Sequence, residues 1–490
     1  MFDPWLSRIL LSIAALANTS VWSDEGGSGI DRDGEVRHQA IAAMEKATAF
    51  FSEQVARHGG YVYLYTADLQ QRWGEGEATE DQIWVQPPGT PTVGLAFLEA
   101  YDATKSPQYL AVATRAGEAL VYGQLVSGGW ANCIDFDPQG ERVARYRHGR
   151  GRGRNHSSLD DGQTQSALTF LIRLDKALDH QHAAIAEAIR TGLDALYDAQ
   201  FPHGGFPQGW DGPVPQDIVP QPASYPPYDW RTEGRIKNYW DMPTINDNVP
   251  GYVAETLITA IHTMGEQRAE AALRKLGDFL VLVQMPAPQS GWAQQYDFDM
   301  HPIWARKFEP PAIASDETQE VIETLMTIYE VTGDAKYLEP IPRALRWLEE
   351  SLLPDGRLAR YYELHTNRPL YMRRQGDRYD LTYDDTNLPD HYAWKIGSRI
   401  ERLSRTYERL RTAHNVNLTP PRVPTVDQVR RIIDRLDSQG RWIETFDGQR
   451  LPGQPKLSRG QLYLSSETFA KNITTLARYV AATTDSPAEQ

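Results

Sequence analysis

Apolar residues recur along most of the chain at helical spacing. Val253, Leu257, Ile261 and Met264 fall at i, i+4, i+8 and i+11. The stripe is repeated by Leu273, Leu276, Leu280 and Val283, by Val321, Leu325 and Ile328, and by Ile341, Leu345, Leu348 and Leu352. One apolar face per segment marks an amphipathic helix. The same pattern predicts helices near 91–104 and 107–125, 163–178 and 182–200, and 388–411 and 425–437. A helix near 37–57 is the candidate partner of one near 464–482. Alternating, strand-like segments are short and confined to the turns.

Those turns resemble one another. A glycine turn followed by an aromatic appears as His58-Gly59-Gly60-Tyr61, Ser127-Gly128-Gly129-Trp130, His203-Gly204-Gly205-Phe206 and Ser290-Gly291-Trp292, with weaker versions at Gly356 and at Gly440-Arg441-Trp442. They recur every roughly 65 to 90 residues, the size of a helix pair with its loops. Helix pairs with two apolar faces each bury both by stacking sideways. The expected fold is therefore all-α: an α/α toroid, an incomplete or closed barrel of helical hairpins with short β segments in the loops, as one domain over 36–483. An open α-solenoid is the other way to stack such pairs.

Composition narrows the function. The 490 residues carry a net charge of −15, which argues against a nucleic-acid partner. A single cysteine, Cys133, excludes an internal disulfide and a cysteine-ligated zinc site and reads as a buried small hydrophobe. The 12 histidines form no HExxH pattern. The run Ile9 to Ala17 after Arg8 is too short to span a bilayer and reads as a signal peptide over 1–23, followed by a Gly- and Asp-rich linker over 24–35. A secreted or periplasmic monomer with no membrane span is expected.

Polar caps precede several helices: Asp160-Asp161-Gly162, Asn246-Asp247-Asn248, Ser315-Asp316-Glu317 and Asp384-Asp385-Thr386-Asn387. Each alone is an ordinary N-cap. If the helix starts share a rim, their oxygens also converge, as hard ligands suited to Ca²⁺. The pairs Asp135/Asp137 and Asp297/Asp299 are weak calcium signals. Arginines crowd the same loops: 142, 145, 147, 150, 152 and 154, then Arg306-Lys307, Arg360, Arg368, Arg373 and Arg374. In an acidic protein this distribution points to carboxylate recognition, because guanidinium matches carboxylate in a bidentate fork.

Six ordered stretches carry a resemblance. DDGQTQSALTFL (160–171), FPHGGFPQGW (201–210), TINDNVPGYVAETL (244–257), GWAQQYD with ARKFEPPAIASDETQEVIETL (291–325), LARYYELHTNRPLY (358–371) and HYAWKIG (391–397) are similar to motifs of polysaccharide lyase family 10, the pectate (pectic acid) lyases. The resemblance spans roughly 155 to 400. It implies Ca²⁺-assisted β-elimination of polygalacturonate or a related anionic polysaccharide. Arg306, in the AR-x-[FY]-E position, is the implied catalytic base. Asp160, Asp161, Asp247 and Asn248 are the implied metal ligands. Arg360 and Arg374 are implied to hold substrate carboxylates, with Lys307, Arg368 and Trp292 beside them. Asp161 and Asn248 stand where the family has Asn and Asp, and Gln295-Tyr296-Asp297 where it has Gln-His-Asp. Arginine acts as a base only where its surroundings favour the neutral form, so an alkaline optimum is expected.

Other readings remain open. A toroid glycoside hydrolase would use Asp161 as acid and Asp247 as base, without metal. A glycan-binding protein would bind without turnover. A helical scaffold would show exposed apolar grooves.

Overall fold

The computed structural model describes residues 30–149, 151–412 and 422–483. The expected signal peptide, the linker residues before 30, and Arg150 of the basic run lie outside the described residues. Twelve α-helices are described: α1 (Ile30–Phe50), α2 (Thr90–Thr104), α3 (Pro107–Gly123), α4 (Gln163–Ala177), α5 (Ala183–Asp198), α6 (Val249–Met264), α7 (Gln267–Leu282), α8 (Ser315–Thr332), α9 (Ile341–Glu350), α10 (Ile400–Thr412), α11 (Val426–Asp434) and α12 (Ser466–Ala482). The fold is the expected all-α class of the α/α toroid type, with short strands in the loops. Helix α1 starts before position 36, so residues 30–35 are helix and not linker.

The described residues pack as two compact units: 158–162 with 195–412, and 30–157 with 163–194 and 422–483. In the first, α6 pairs with α7, and α8 packs against α6, α7, α9 and α10. A five-stranded antiparallel sheet lies in its loops, in the order 378–382, 369–375, 361–362, 313–314, 292–293. In the second, α2 packs against α3, α4 and α12, and α1 lies against α12 and α11, which is the pairing expected of segments 37–57 and 464–482.

The apolar stripes form the cores. Val253, Leu257, Leu273, Leu280, Val321, Leu325 and Leu348 are buried. Two predicted stripe ends are exposed, Met264 at the last residue of α6 (38 %) and Leu352 beyond the end of α9 (42 %).

The recurring turn has a physical basis. The first glycine of each Gly-Gly pair takes a positive φ: Gly59 (82°), Gly128 (93°) and Gly204 (96°). A glutamine just before the turn bonds its carbonyls and a neighbouring helix. Gln124 Nε2 donates to the Gly128 and Ala188 carbonyls, Gln200 Nε2 to those of Gly204 and Ala272, and Gln284 Nε2 to those of Ser290 and Pro340. A threonine of the following helix takes the aromatic's backbone N–H: Tyr61 with Thr90, Trp130 with Thr164, Trp292 with Thr318. At Gly204 a Cβ would stand 1.9 Å from the Lys275 carbonyl oxygen. Gly204→Ala is therefore expected to destabilise the protein by about 2–4 kcal/mol, read from a denaturant midpoint.

Candidate active site

The turn geometry corrects one expectation. Trp292 is fully buried and its Nε1 donates to the Leu280 carbonyl (2.8 Å), just as Trp130 Nε1 donates to that of Leu120. It is a core residue of the repeat, and its ring has no face free for a sugar.

The polar helix starts do converge in the first unit. The short turns Asp160–Gly162 and Asn246–Asn248 pack on each other and on α6, and the second turn also on α8. Both are strained alike: Asp161 (φ 46°), Asp247 (50°) and Asn248 (54°) all lie in the left-handed region, which costs non-glycine residues about 1 kcal/mol or more each. Two acids and an amide held this way point to a constrained oxygen cluster. Gln208 Nε2 donates to Asp160 Oδ1 (2.7 Å), and Asn246 Nδ2 donates to Asp247 Oδ2. Burial, and then the charges of Asp161 and Asp160, push the Asp247 carboxyl well above its ordinary range, against the opposing pull of Arg306. A Cβ on Gly251 would stand 2.3 Å from Asn248 Oδ1, so the first turn of α6 needs glycine there to keep that side chain in place.

These donors fit a hard dication by chemistry and by charge, since a cation would neutralise the repulsion that Asp247 bears. Among the described residues, however, no group of three or more His, Cys, Asp or Glu side chains is disposed to hold a metal ion. The cluster is crowded with charge but is not a ready-made cage.

Arg306 stands beside this cluster. Residues 305–309 close a tight turn, with Glu309 N donating to Arg306 O (2.9 Å) and Ala305 N to Glu309 O (3.2 Å). The turn brings Glu309 under the guanidinium, where it takes Arg306 Nε (2.8 Å), Nη2 (2.5 Å) and the backbone N–H (2.9 Å). Nη1 makes no hydrogen bond to a described residue, and the side chain is 43 % exposed against 2 % for Glu309. Burial lowers the guanidinium's proton affinity, but Glu309, and after it Asp247 and Tyr392, more than offset this and hold it above its ordinary value. Burial likewise pushes Glu309 up, and Arg306 outweighs it, holding Glu309 below its ordinary value. The surroundings thus favour the protonated arginine, contrary to the neutral form that the sequence reading asks for.

Behind the pair runs a hydrogen-bonded chain. Tyr392 Oη donates to Glu309 Oε1 (3.0 Å) and stands 2.9 Å from Tyr361 Oη, which donates to Gln294 Oε1 (2.5 Å). Tyr239 faces the same charges. Burial raises its phenol, and Glu309, Arg306, Asp160 and Asp247 all act on it. Its backbone carbonyl accepts from Gln295 Nε2, and the next carbonyl, of Trp240, accepts from the Gln208 backbone N–H (3.0 Å). The Tyr239 hydroxyl makes no hydrogen bond to a described residue. The motifs hold Glu309, Tyr361 and Tyr392, but only folding couples 309 to 392. Tyr239 belongs to a stretch outside the motifs and carries no sequence signal.

The remaining expected residues separate. Arg360 is mostly shielded, its side chain 12 % exposed, with Nη2 on Glu317 Oε1 (2.9 Å), Nη1 near Asp316 Oδ2 (3.4 Å) and its guanidinium 4.7 Å from the Tyr392 ring centroid. Its charge is paired inside the protein, which corrects its expected role as a substrate clamp. Ser315 does not cap α8. Its Oγ donates to the Ala359 carbonyl (2.6 Å), while Asp316 and Glu317 pair with Arg360, and Asp316 also with Arg399. Asp384–Asn387 caps no helix either. Asp384 closes an Asx turn on Thr386, and residues 395–396 pair with 358–359 before α10 begins at Ile400. Lys307, Arg368 and Arg374 are exposed: Lys307 Nζ donates to the Asp377 carbonyl (2.7 Å), Arg368 stacks 3.6 Å over Tyr383, and Arg374 Nε donates to the Gly376 carbonyl (2.8 Å). Asp297 binds its own turn through the His301 N–H (2.8 Å), and Asp299 accepts from Gln221 (3.0 Å). Cys133 is buried, as expected. Among the described residues no helix is long and apolar enough to cross a membrane.

The structure is similar to a family 10 polysaccharide lyase from Cellvibrio cellulosa (19 % identity, 65 % of this chain and 97 % of that one, TM-score 0.44) and to a cellobiose 2-epimerase from Spirochaeta thermophila (17 %, 93 % and 99 %, TM-score 0.45). No curated protein sequence matches the chain. The family model of pectic acid lyases matches residues 124–358, the stretch that carries Asp160, Asp247 and Arg306, and the protein is a polysaccharide lyase.

Proposed function

We propose that the protein cleaves polygalacturonate, or a closely related polyuronate, by β-elimination, and that it acts outside the cytoplasm. The observation that carries this reading is the convergence of Asp160, Asp161 and Asp247 beside a half-exposed Arg306 with an uncommitted Nη1. The C5 proton of a uronate is weakly acidic, so its removal needs charge stabilisation on the adjoining carboxylate and a base within hydrogen-bond reach. Asp160, Asp161, Asp247 and Asn248 would hold Ca²⁺, which when bound would neutralise that carboxylate. Arg306 takes the C5 proton from its neutral form, and the electrons of the C–H bond form the C4–C5 double bond as the C4–O bond breaks. Tyr239, whose phenol is raised by burial and acted on by Glu309, Arg306, Asp160 and Asp247, would give its proton to the departing oxygen. Lys307, Arg368 and Arg374 are exposed cations available to flanking carboxylates.

The Glu309 fork favours a second reading of one residue, in which Arg306 stays protonated and stabilises the developing negative charge. The two readings separate by pH. A base must lose its proton, so the rate climbs into the alkaline range; a permanent cation gives no such limb.

The test of the reaction is the ultraviolet absorbance of the unsaturated uronate with polygalacturonate, with and without Ca²⁺. Product formed with Ca²⁺ and abolished by a chelator is expected. Saturated ends that persist in chelator would support the paired-carboxylate hydrolase instead. Tyr239→Phe is expected to lower kcat about 10- to 100-fold with KM little changed, measured in the same assay. Asp247→Asn is expected to abolish turnover while raising the stability of the metal-free protein at neutral pH. The sign follows from the raised carboxyl: its charged form is penalised in the fold above its folded-state pKa, and the penalty fades as pH falls through that value. Melting curves against pH check this.

A further inference from the structure

The second unit contains a cavity that the reaction above does not use. It lies against the turn Phe51–Val55 that ends α1, has a volume of about 190 Å³, and its lining includes the cations Arg57 and Arg72, the carboxylate of Glu80, and Tyr65, Gln70 and Thr79. Arg72, on the strand Arg72–Gly74, is only 6 % exposed. Its Nη2 donates to the Gln82 carbonyl (3.1 Å) and its guanidinium stands 5.6 Å from the Tyr65 ring centroid. Its Nε is buried and has no partner, and no carboxylate of a described residue stands within ion-pair distance of it. Burial pulls its proton affinity below the ordinary value; Tyr65 opposes this, Arg57 adds a repulsion of like sign, and Glu80 contributes a smaller attraction. Arg57 reaches Glu80 at 3.7 Å, but the Glu80 side chain is 80 % exposed and holds it loosely.

An arginine keeps its charge even when buried, and the carboxylate on this wall, Glu80, is engaged with Arg57 and acts on Arg72 only from beyond ion-pair distance. Buried charges are ordinarily paired. We propose that the cavity binds a small carboxylate. The volume, at ~30 Å³ per water, is that of several waters and well below the ~300–1,000 Å³ of drug-sized pockets, so the ligand is no larger than one acidic sugar. A guanidinium presents the fork that a carboxylate fills. The amides of Gln54 and Gln70 and the hydroxyl of Thr79 suit a hydroxylated acid.

Binding there is independent of turnover and is tested without it. Calorimetric titration with galacturonate, acetate, glucose and inorganic phosphate is run on the full chain and on Arg306→Ala, which removes the active-site cation. Galacturonate and acetate are expected to bind both, with a dissociation constant on the order of 1 mM for galacturonate, and glucose not to bind. Arg72→Gln should abolish binding. Because that variant can fail to fold, Arg57→Gln and Glu80→Gln serve beside it: the first should weaken binding, and the second, which removes a competing carboxylate, should tighten it about two- to fivefold. Binding that is lost in Arg306→Ala, unchanged in both surface variants, or confined to phosphate overturns the proposal.

Discussion

Arg306→Ala is expected to reduce turnover on polygalacturonate by roughly 10³-fold or more, the scale of losing a base or a key charge in a preorganised site. It should also lower stability, because Glu309 is 2 % exposed and loses both forks of its partner. Tyr392 and the Arg306 backbone N–H still reach Glu309, so the loss is about 1–3 kcal/mol and not the full value for an orphaned buried charge. The pH dependence identifies the cause. Glu309 has its folded-state pKa held below the ordinary 4.5, so its contribution is present above that value and disappears as pH falls through the lower one. Wild type and Arg306→Ala should therefore differ most above the ordinary value and converge in acid. Arg306→Lys keeps a cation beside Glu309 and should retain more of the stability.

Arg360→Met should give the largest stability loss, about 3–5 kcal/mol in denaturant titrations, since it strands Glu317, which is 1 % exposed. Asp316 keeps Arg399 at 2.9 Å and is not stranded. The double variant Arg360→Met/Glu317→Leu should recover most of the loss, because removing both charges leaves no unpaired ion. A substrate-binding Arg360 would instead raise KM and leave stability unchanged, and the double variant would rescue nothing.

The helices were legible because a stripe such as Val253–Leu257–Ile261 needs only local spacing. The repeated turns were legible as glycine patterns, but their glutamine and threonine anchors join residues far apart in sequence. Trp292 was misread for this reason: Gly291-Trp292 looks like an exposed loop aromatic until Thr318 and the Leu280 carbonyl fix it in the core. Arg360 was misread because a motif transmits the residue and not its partner. The convergence of Asp160, Asp161 and Asp247 could be anticipated from equivalent positions at two helix starts. The Glu309–Tyr392–Tyr361 chain could not, because it forms only when loops distant in sequence meet. Residues 384–399 were read as the start of a helix, yet Pro389 and the strand at 395–396 end that possibility before α10.

The central claim is that Arg306 acts as the base of an elimination. Its most direct test is the initial rate of unsaturated-product formation from polygalacturonate against pH, in Ca²⁺, for wild type and Arg306→Lys. The claim predicts a wild-type rate that climbs into the alkaline range, and a lysine variant whose climb begins at lower pH, as the lower proton affinity of an ammonium requires. A rate that peaks in acid, or one with no alkaline limb in either protein, would contradict it.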